Sequence, residues 1–143
     1  MITLRRARER HSIRRRGQEV WLTFNPQDRT DQLADGFGAL GALEENHLPP
    51  GADVAPQLYQ AAEVVTYVLK GALAQEDSTG WAGVIHTCEF QRMATRLRVS
   101  HSERNASKTD PAHVFRMSLR PTESKLNYTH DQKFWSSPDF VDT

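Results

Sequence analysis

The sequence predicts an all-β domain, a sandwich or barrel, on three observations. Short runs of β-branched and aromatic residues recur along the chain, turn-forming residues separate them, and no long 3.6-residue apolar repeat argues for a substantial helix. A chain of 143 residues is long enough for one domain with a real core and short for two.

Taken in order, the first strand falls at 20–24 (Val-Trp-Leu-Thr-Phe) and stops at Asn25-Pro26-Gln27-Asp28. Proline there sets φ in advance and the Asn and Asp side chains bond their own backbone, so the run turns. The second falls at 37–43 (Phe-Gly-Ala-Leu-Gly-Ala-Leu), ahead of the Pro49-Pro50-Gly51 turn, and the third at 63–69 (Glu-Val-Val-Thr-Tyr-Val-Leu). Asp77-Ser78-Thr79-Gly80 introduces two short strands at 83–86 and 89–93, and Thr109-Asp110-Pro111 introduces a last one at 113–119. From Pro121 to Thr143 the chain is polar with isolated aromatics (Tyr128, Phe134, Trp135, Phe140) and reads as an extended arm.

Charge is balanced overall, with 18 basic and 18 acidic residues, which argues against a surface built wholly for nucleic acid or for an anionic membrane. The balance conceals an asymmetry. Residues 1–16 carry seven arginines against Glu9, a net +6, and the remaining 127 residues carry −6. With that many counter-charges available, an arginine-rich strand and hairpin braced by Asp and Glu is the expectation, ahead of a nucleic-acid arm. A single cysteine, Cys88, excludes an intrachain disulfide and fits a reducing compartment. No run approaches the ~20 apolar residues of a membrane helix, and the basic N-terminus lacks the apolar stretch of a signal peptide. The expected location is the cytoplasm.

The segment from Gly51 to Gly71, with Ala55-Pro-Gln57-Leu-Tyr59 and Glu63-Val-Val-Thr-Tyr-Val-Leu69 inside it, resembles the first motif of the pirin-like branch of the cupins. So do Asp77-Ser-Thr-Gly80, Gly83-Val-Ile85, Glu89-Phe-Gln-Arg-Met93 and above all His101-Ser-Glu103-Arg-Asn105, while the opening Met-Ile-Thr-Leu-Arg-Arg-Ala and Gly36-Phe-Gly-Ala-Leu40 resemble the start of such a protein. The resemblance implies a double-stranded β-barrel of the cupin or jelly-roll type over residues 1–135, followed by a tail at 136–143. Members usually carry two barrels in one chain. The second half's contact surface would then need covering, so a homodimer, or the C-terminal arm folded back, is expected.

Family members read His-x-His in the first motif and His-Ser-Glu in the second, so the resemblance implies three imidazoles and a carboxylate around a divalent metal in the barrel. Alternate residues on a strand share a face, which is why both motifs have this spacing. Here the two histidine positions of the first motif are Gln57 and Tyr59. A neutral amide is a weak ligand, and a phenol must lose its proton to bind well. His101 and Glu103 remain as metal ligands only if a metal is retained, and the expectation is that none is held; the alternative is a divalent transition ion (Fe, Ni, Cu or Zn) with Gln57 and Tyr59 completing an unusual shell.

Other parts of the pocket are rewritten too. The glycine-rich turn of the second motif is Ala94-Thr-Arg-Leu-Arg-Val-Ser100, Cys88 stands at a turn-glycine position, and Ser118 stands where a tryptophan is common. Lost turn glycines imply strain or a reshaped loop. A kept framework with a changed pocket is the pattern of divergence to new chemistry or of redesign on such a scaffold. His86 is expected at the rim and His113 at the start of the last strand, with His11, His47 and His130 in loops or arms, all as surface histidines. Cys88 is read as an incidental thiol, Trp21 and Trp135 as packing residues, and Trp81 as exposed.

Three functions stay open. The first is a metal-free pocket for a small aromatic or carbonyl compound, extending to acid/base catalysis (lyase or isomerase type) by His101, with Glu103 charging it and Tyr59 and Gln57 donating hydrogen bonds. The second is a quercetinase-like, metal-dependent dioxygenase using His101 and Glu103 with Gln57 and Tyr59. The third, implied by the resemblance alone, is a regulatory protein-binding module.

Overall fold

Every strand pairing among the described residues is antiparallel, and the strands form two sheets that face one another. The computed structural model describes residues 2–59, 61–95, 98–121 and, along the backbone, 129–134. The larger sheet holds β1 (His11–Arg15), β2 (Gln18–Leu22), β3 (Leu40–Leu48), β10 (Ala112–Leu119), β5 (Ala62–Lys70), β8 (Glu89–Thr95) and β11 (Thr129–Phe134), in that spatial order. The smaller holds β4 (Asp53–Tyr59), β9 (Val99–Asn105), β6 (Ala72–Asp77) and β7 (Ala82–His86). This is the barrel the sequence implies.

The six runs picked out by composition all lie wholly or partly on strands, with shifted ends. The run at 37–43 begins in a turn and belongs to a strand that continues to Leu48, so His47 sits on β3 and not in a loop; His11 likewise heads β1 and His130 lies on β11. β1, β6 and β11 had no apolar run to announce them. A one-turn 3-10 helix at Ala7–Glu9 precedes β1. None of the described helices is long and apolar enough to cross a membrane. Tyr128, Trp135, Phe140 and the proposed tail at 136–143 lie outside the described residues, as do Arg96 and Leu97 of the altered turn.

Two turns show how local chemistry sets the register. Arg16 and Gly17 both have positive φ, 50° and 80°, which is the two-residue turn whose twist matches an antiparallel hairpin, and it joins β1 to β2. Cys88 turns the chain between β7 and β8 at φ 66°, a left-handed conformation that costs a non-glycine residue about 1–2 kcal/mol, so the lost glycine is felt as strain. The arginine-rich start is braced as its charge suggests: Arg5 pairs with Asp31 at 2.8 Å, Arg10 with Glu45 at 2.5 Å and Arg14 with Glu19 at 2.8 Å. Trp81 is half-buried, its ring so close to Gly83 that a Cβ there would meet it at 2.9 Å, and in this it departs from the exposed position expected.

Alternation along the strands divides the barrel interior into two zones. One is apolar: Leu48, Val68, Leu73, Ile85, Ala112 and Val114 pack into a single buried cluster. Truncating one of its larger members to alanine should remove about 2–5 kcal/mol. The other is polar, and holds Thr66, Gln75, Gln91, His101, Glu103 and Arg116, all buried. At the apolar end, the Asn105 side chain ties loops together by donating to the carbonyls of Leu48, Pro49 and Asp110 at 3.2, 3.0 and 2.8 Å.

Candidate functional site

β4 is an edge strand, and a register shift between Val54 and Gln57 places Pro56 where its missing N–H disturbs no ladder. Beyond the shift the strand resumes its alternation, with Leu58 exposed and Gln57 and Tyr59 turned toward the interior. β9 lies beside it, and its inward residues are Val99, His101, Glu103 and Asn105. Gln57 faces His101 directly in the register, and Tyr59 faces Val99. The Tyr59 and His101 rings approach edge to face, with centroids 6.0 Å apart. The four residues expected at the site are therefore brought together in the polar zone.

A fifth residue organises them. Arg116, 4% exposed, reaches from β10 across the interior and makes an ion pair with Glu103, 7% exposed, on the opposite sheet. Its other terminal nitrogen, Nη1, donates to Glu44 at 3.2 Å and to Gln57 Oε1 at 3.4 Å. Glu44 is the β3 residue paired with Arg116 in register, so one guanidinium joins both sheets and, with its own β10, four strands. Glu103 is held from its second side by Gln75 on β6, whose Nε2 donates to Oε1 at 2.8 Å. The Tyr59 hydroxyl donates to the same Gln57 oxygen that Arg116 uses. Burial pushes the Tyr59 phenol above its ordinary value; Arg116 acts against this and Glu44 adds to it, and the net direction is up. Tyr59 is therefore a hydrogen-bond donor here and not a phenolate.

Arg116, Gln75 and Glu44 were missed by motif reading. The signal was there in the alternation of β10, where Ala112, Val114 and Arg116 point inward together. A charged residue at a core position must have a partner waiting.

The donor set can be tested against the metal that the resemblance implies. Both Glu103 oxygens are taken, Gln57 Oε1 accepts two hydrogen bonds, and Tyr59 keeps its proton. A guanidinium, which keeps its charge at any working pH, already occupies the space between the acids. A divalent ion would have to displace these bonds and sit against that cation, so the residues as arranged do not fit one.

Next to this cluster a cavity of about 350 Å³ opens between β1–β2–β3 and β4, lined by Ile13, Val20, Glu44, Asn46, Val54 and Gln57 among others. Asn46 is 4% exposed, and its Nδ2 has no hydrogen-bond partner among the described residues. The cavity wall thus mixes apolar side chains, Ile13, Val20, Leu22 and Val54 among them, with Arg15, Gln18, Asn46, Gln57 and the Glu44 carboxylate, and Glu44 and Gln57 both accept from Arg116.

Comparison with known proteins agrees with this architecture. The chain is 29% identical over 133 residues to a protein of Escherichia coli (strain K12) named quercetin 2,3-dioxygenase, covering 93% of this chain and 58% of that one. It superposes on the crystal structure of YhhW from Escherichia coli with a TM-score of 0.88 at 28% identity, over 96% of this chain and 58% of that one. For bacterial pirin YhhW in complex with nickel(II), also from Escherichia coli, the TM-score is 0.86 at 28% identity, over 95% and 59%. The chain therefore spans less than two thirds of the length of these relatives. The family model described as Pirin matches residues 5–118, from the first braced arginine into β10, and the chain belongs to the pirin family.

Proposed function

We propose that this barrel binds a small aromatic carbonyl compound in the cavity beside Asn46 and Gln57, with Arg116 as a fixed interior cation and without a divalent ion on His101 and Glu103. The observation that carries the reading is the placement of the Arg116 guanidinium among Glu103, Glu44 and Gln57. Because Gln57 Oε1 is engaged by Tyr59 and Arg116, its Nε2 hydrogens are the ones a ligand oxygen would meet, beside Asn46 Nδ2, which has no partner among the described residues. Donors held in place before the ligand arrives stabilise a carbonyl or enolate oxygen without reorganisation. His101 is the residue this reading assigns to any proton transfer, while Glu103 balances Arg116 rather than charging the imidazole.

The competing reading is a metal-dependent dioxygenase using His101 and Glu103 with Gln57 and Tyr59. It draws on the relatives, one named a quercetin 2,3-dioxygenase and one crystallised with nickel(II). Titration of the chain with quercetin, followed by tryptophan fluorescence in EDTA and again with Ni²⁺, separates the two. Under the proposal binding is saturable and equal in both buffers, and Gln57→Ala weakens it about tenfold, some 1.4 kcal/mol. Oxygen consumption that appears only with Ni²⁺ and vanishes in His101→Ala would establish the dioxygenase instead, and absence of binding in both buffers would overturn the pocket itself.

A further inference from the structure

We propose a second, surface metal site, formed by Glu45, His47 and His113 on the outer face of the larger sheet and suited to a divalent ion of the zinc, nickel or copper type. His47 on β3 and His113 on β10 are paired directly across the two strands. Glu45 lies two residues before His47, so its side chain shares that face.

The donor atoms already converge. Glu45 Oε1 lies 2.7 Å from His113 Nε2 and 3.6 Å from His47 Nε2, and one ligand atom from each of the three residues lies within 4.8 Å of the other two. Around a four-coordinate ion with bonds of about 2.0–2.1 Å, neighbouring donors stand roughly 3.4 Å apart. The hydrogen bond from His113 must therefore open slightly and the imidazoles close slightly. The exposure of the rings, 48% for the His47 side chain and 23% for that of His113, leaves them room to do so.

Surrounding groups hold the donors in this arrangement. Arg10 takes the other Glu45 oxygen, Oε2, at 2.5 Å, which orients the carboxylate and leaves Oε1 facing the imidazoles. The His47 ring meets Trp21 edge on at 4.7 Å, and the His113 ring lies 5.2 Å from Phe115. Two imidazoles and a carboxylate suit borderline transition ions, and would not select Mg²⁺ or Ca²⁺. Three protein ligands leave at least one position to water. Glu19 flanks the site beside His47, and Lys70 flanks it beside His113. An ion here would link β3 to β10 on the outside of the barrel, away from His101 and Glu103, which face the interior.

The test is titration of the full chain, free of any histidine tag, with Co²⁺ followed by visible absorption and with Zn²⁺ followed by calorimetry. One equivalent should bind. His113→Ala should weaken binding at least tenfold, and the His47→Ala/His113→Ala pair at least a hundredfold, with circular dichroism unchanged. His101→Asn should leave the titration as it was. Binding no tighter than millimolar in the intact chain, or binding that survives the double substitution, or binding that His101→Asn removes, would each overturn the proposal.

Discussion

The interior and the outer face of this barrel each bring histidine and glutamate together, inside from β9 and the facing sheet's β3 and outside from the neighbouring β3 and β10, and each includes an arginine, yet the two clusters differ in where that arginine stands. Inside, Arg116 lies between the acids and draws on Glu103, Glu44 and Gln57 at once. Outside, Arg10 holds one oxygen of Glu45 from behind and leaves the space between Glu45, His47 and His113 open. Ligand types alone do not make a metal site. What decides is whether a cation is already built into the middle of it.

Three experiments act on that contrast. The largest effect should come from Arg116→Ala, which leaves Glu103 charged and buried with one partner fewer; urea unfolding should show a loss of about 3–5 kcal/mol. Arg116→Met combined with Glu103→Gln, which removes both charges together, should recover most of that loss. A cost below about 1 kcal/mol for Arg116→Ala would mean that the guanidinium is not the organiser of the interior.

The next effect concerns metal affinity. Gln57→His with Tyr59→His should not be enough to give the interior a tight Ni²⁺ site, because the guanidinium stays. Adding Arg116→Leu should tighten binding about a hundredfold, some 2.7 kcal/mol, in calorimetry performed on a background lacking His47 and His113. Equal affinity in the double and triple variants would remove Arg116 from the explanation. The smallest effect is expected outside. His47→Ala in EDTA should change unfolding stability by no more than about 0.5 kcal/mol, the ordinary range for an exposed side chain, whereas in Zn²⁺ at a hundred times the native Kd the native chain should gain about 2.7 kcal/mol and the variant, binding at least tenfold more weakly, no more than about 1.4 kcal/mol.

Much of the frame was legible because it rests on short-range rules. The apolar runs at 63–69 and 113–119 became the neighbouring strands β5 and β10, and the Gln57, Tyr59, His101 and Glu103 positions met because alternation and antiparallel pairing bring them to one face. β1 had no apolar run to mark it, since His-Ser-Ile-Arg-Arg is mostly polar; only its arginine charge pointed to a braced strand and hairpin, and it gains its place by pairing with β2 and by ion pairs rather than by burial. Arg116 escaped for a different reason. Its partners Glu44, Gln57 and Glu103 lie 72, 59 and 13 residues away along the chain, so no local pattern joins them. The outer histidines were set aside as isolated surface residues because His47 and His113 become neighbours only through the β3–β10 register.

The Arg116 bridge also constrains how such a chain can change. Once a guanidinium neutralises Glu103 and Glu44, a histidine placed at 57 or 59 alone would still face that cation, and losing the arginine alone leaves the buried Glu103 with one cation fewer. Under the proposed reading each of these single changes is neutral or harmful, and joint replacement at 57, 59 and 116 is what a divalent ion in the interior would need. On that reading the arginine works as a ratchet: substitutions that alter the ligand pocket are open one at a time, whereas those that would admit a metal must come together.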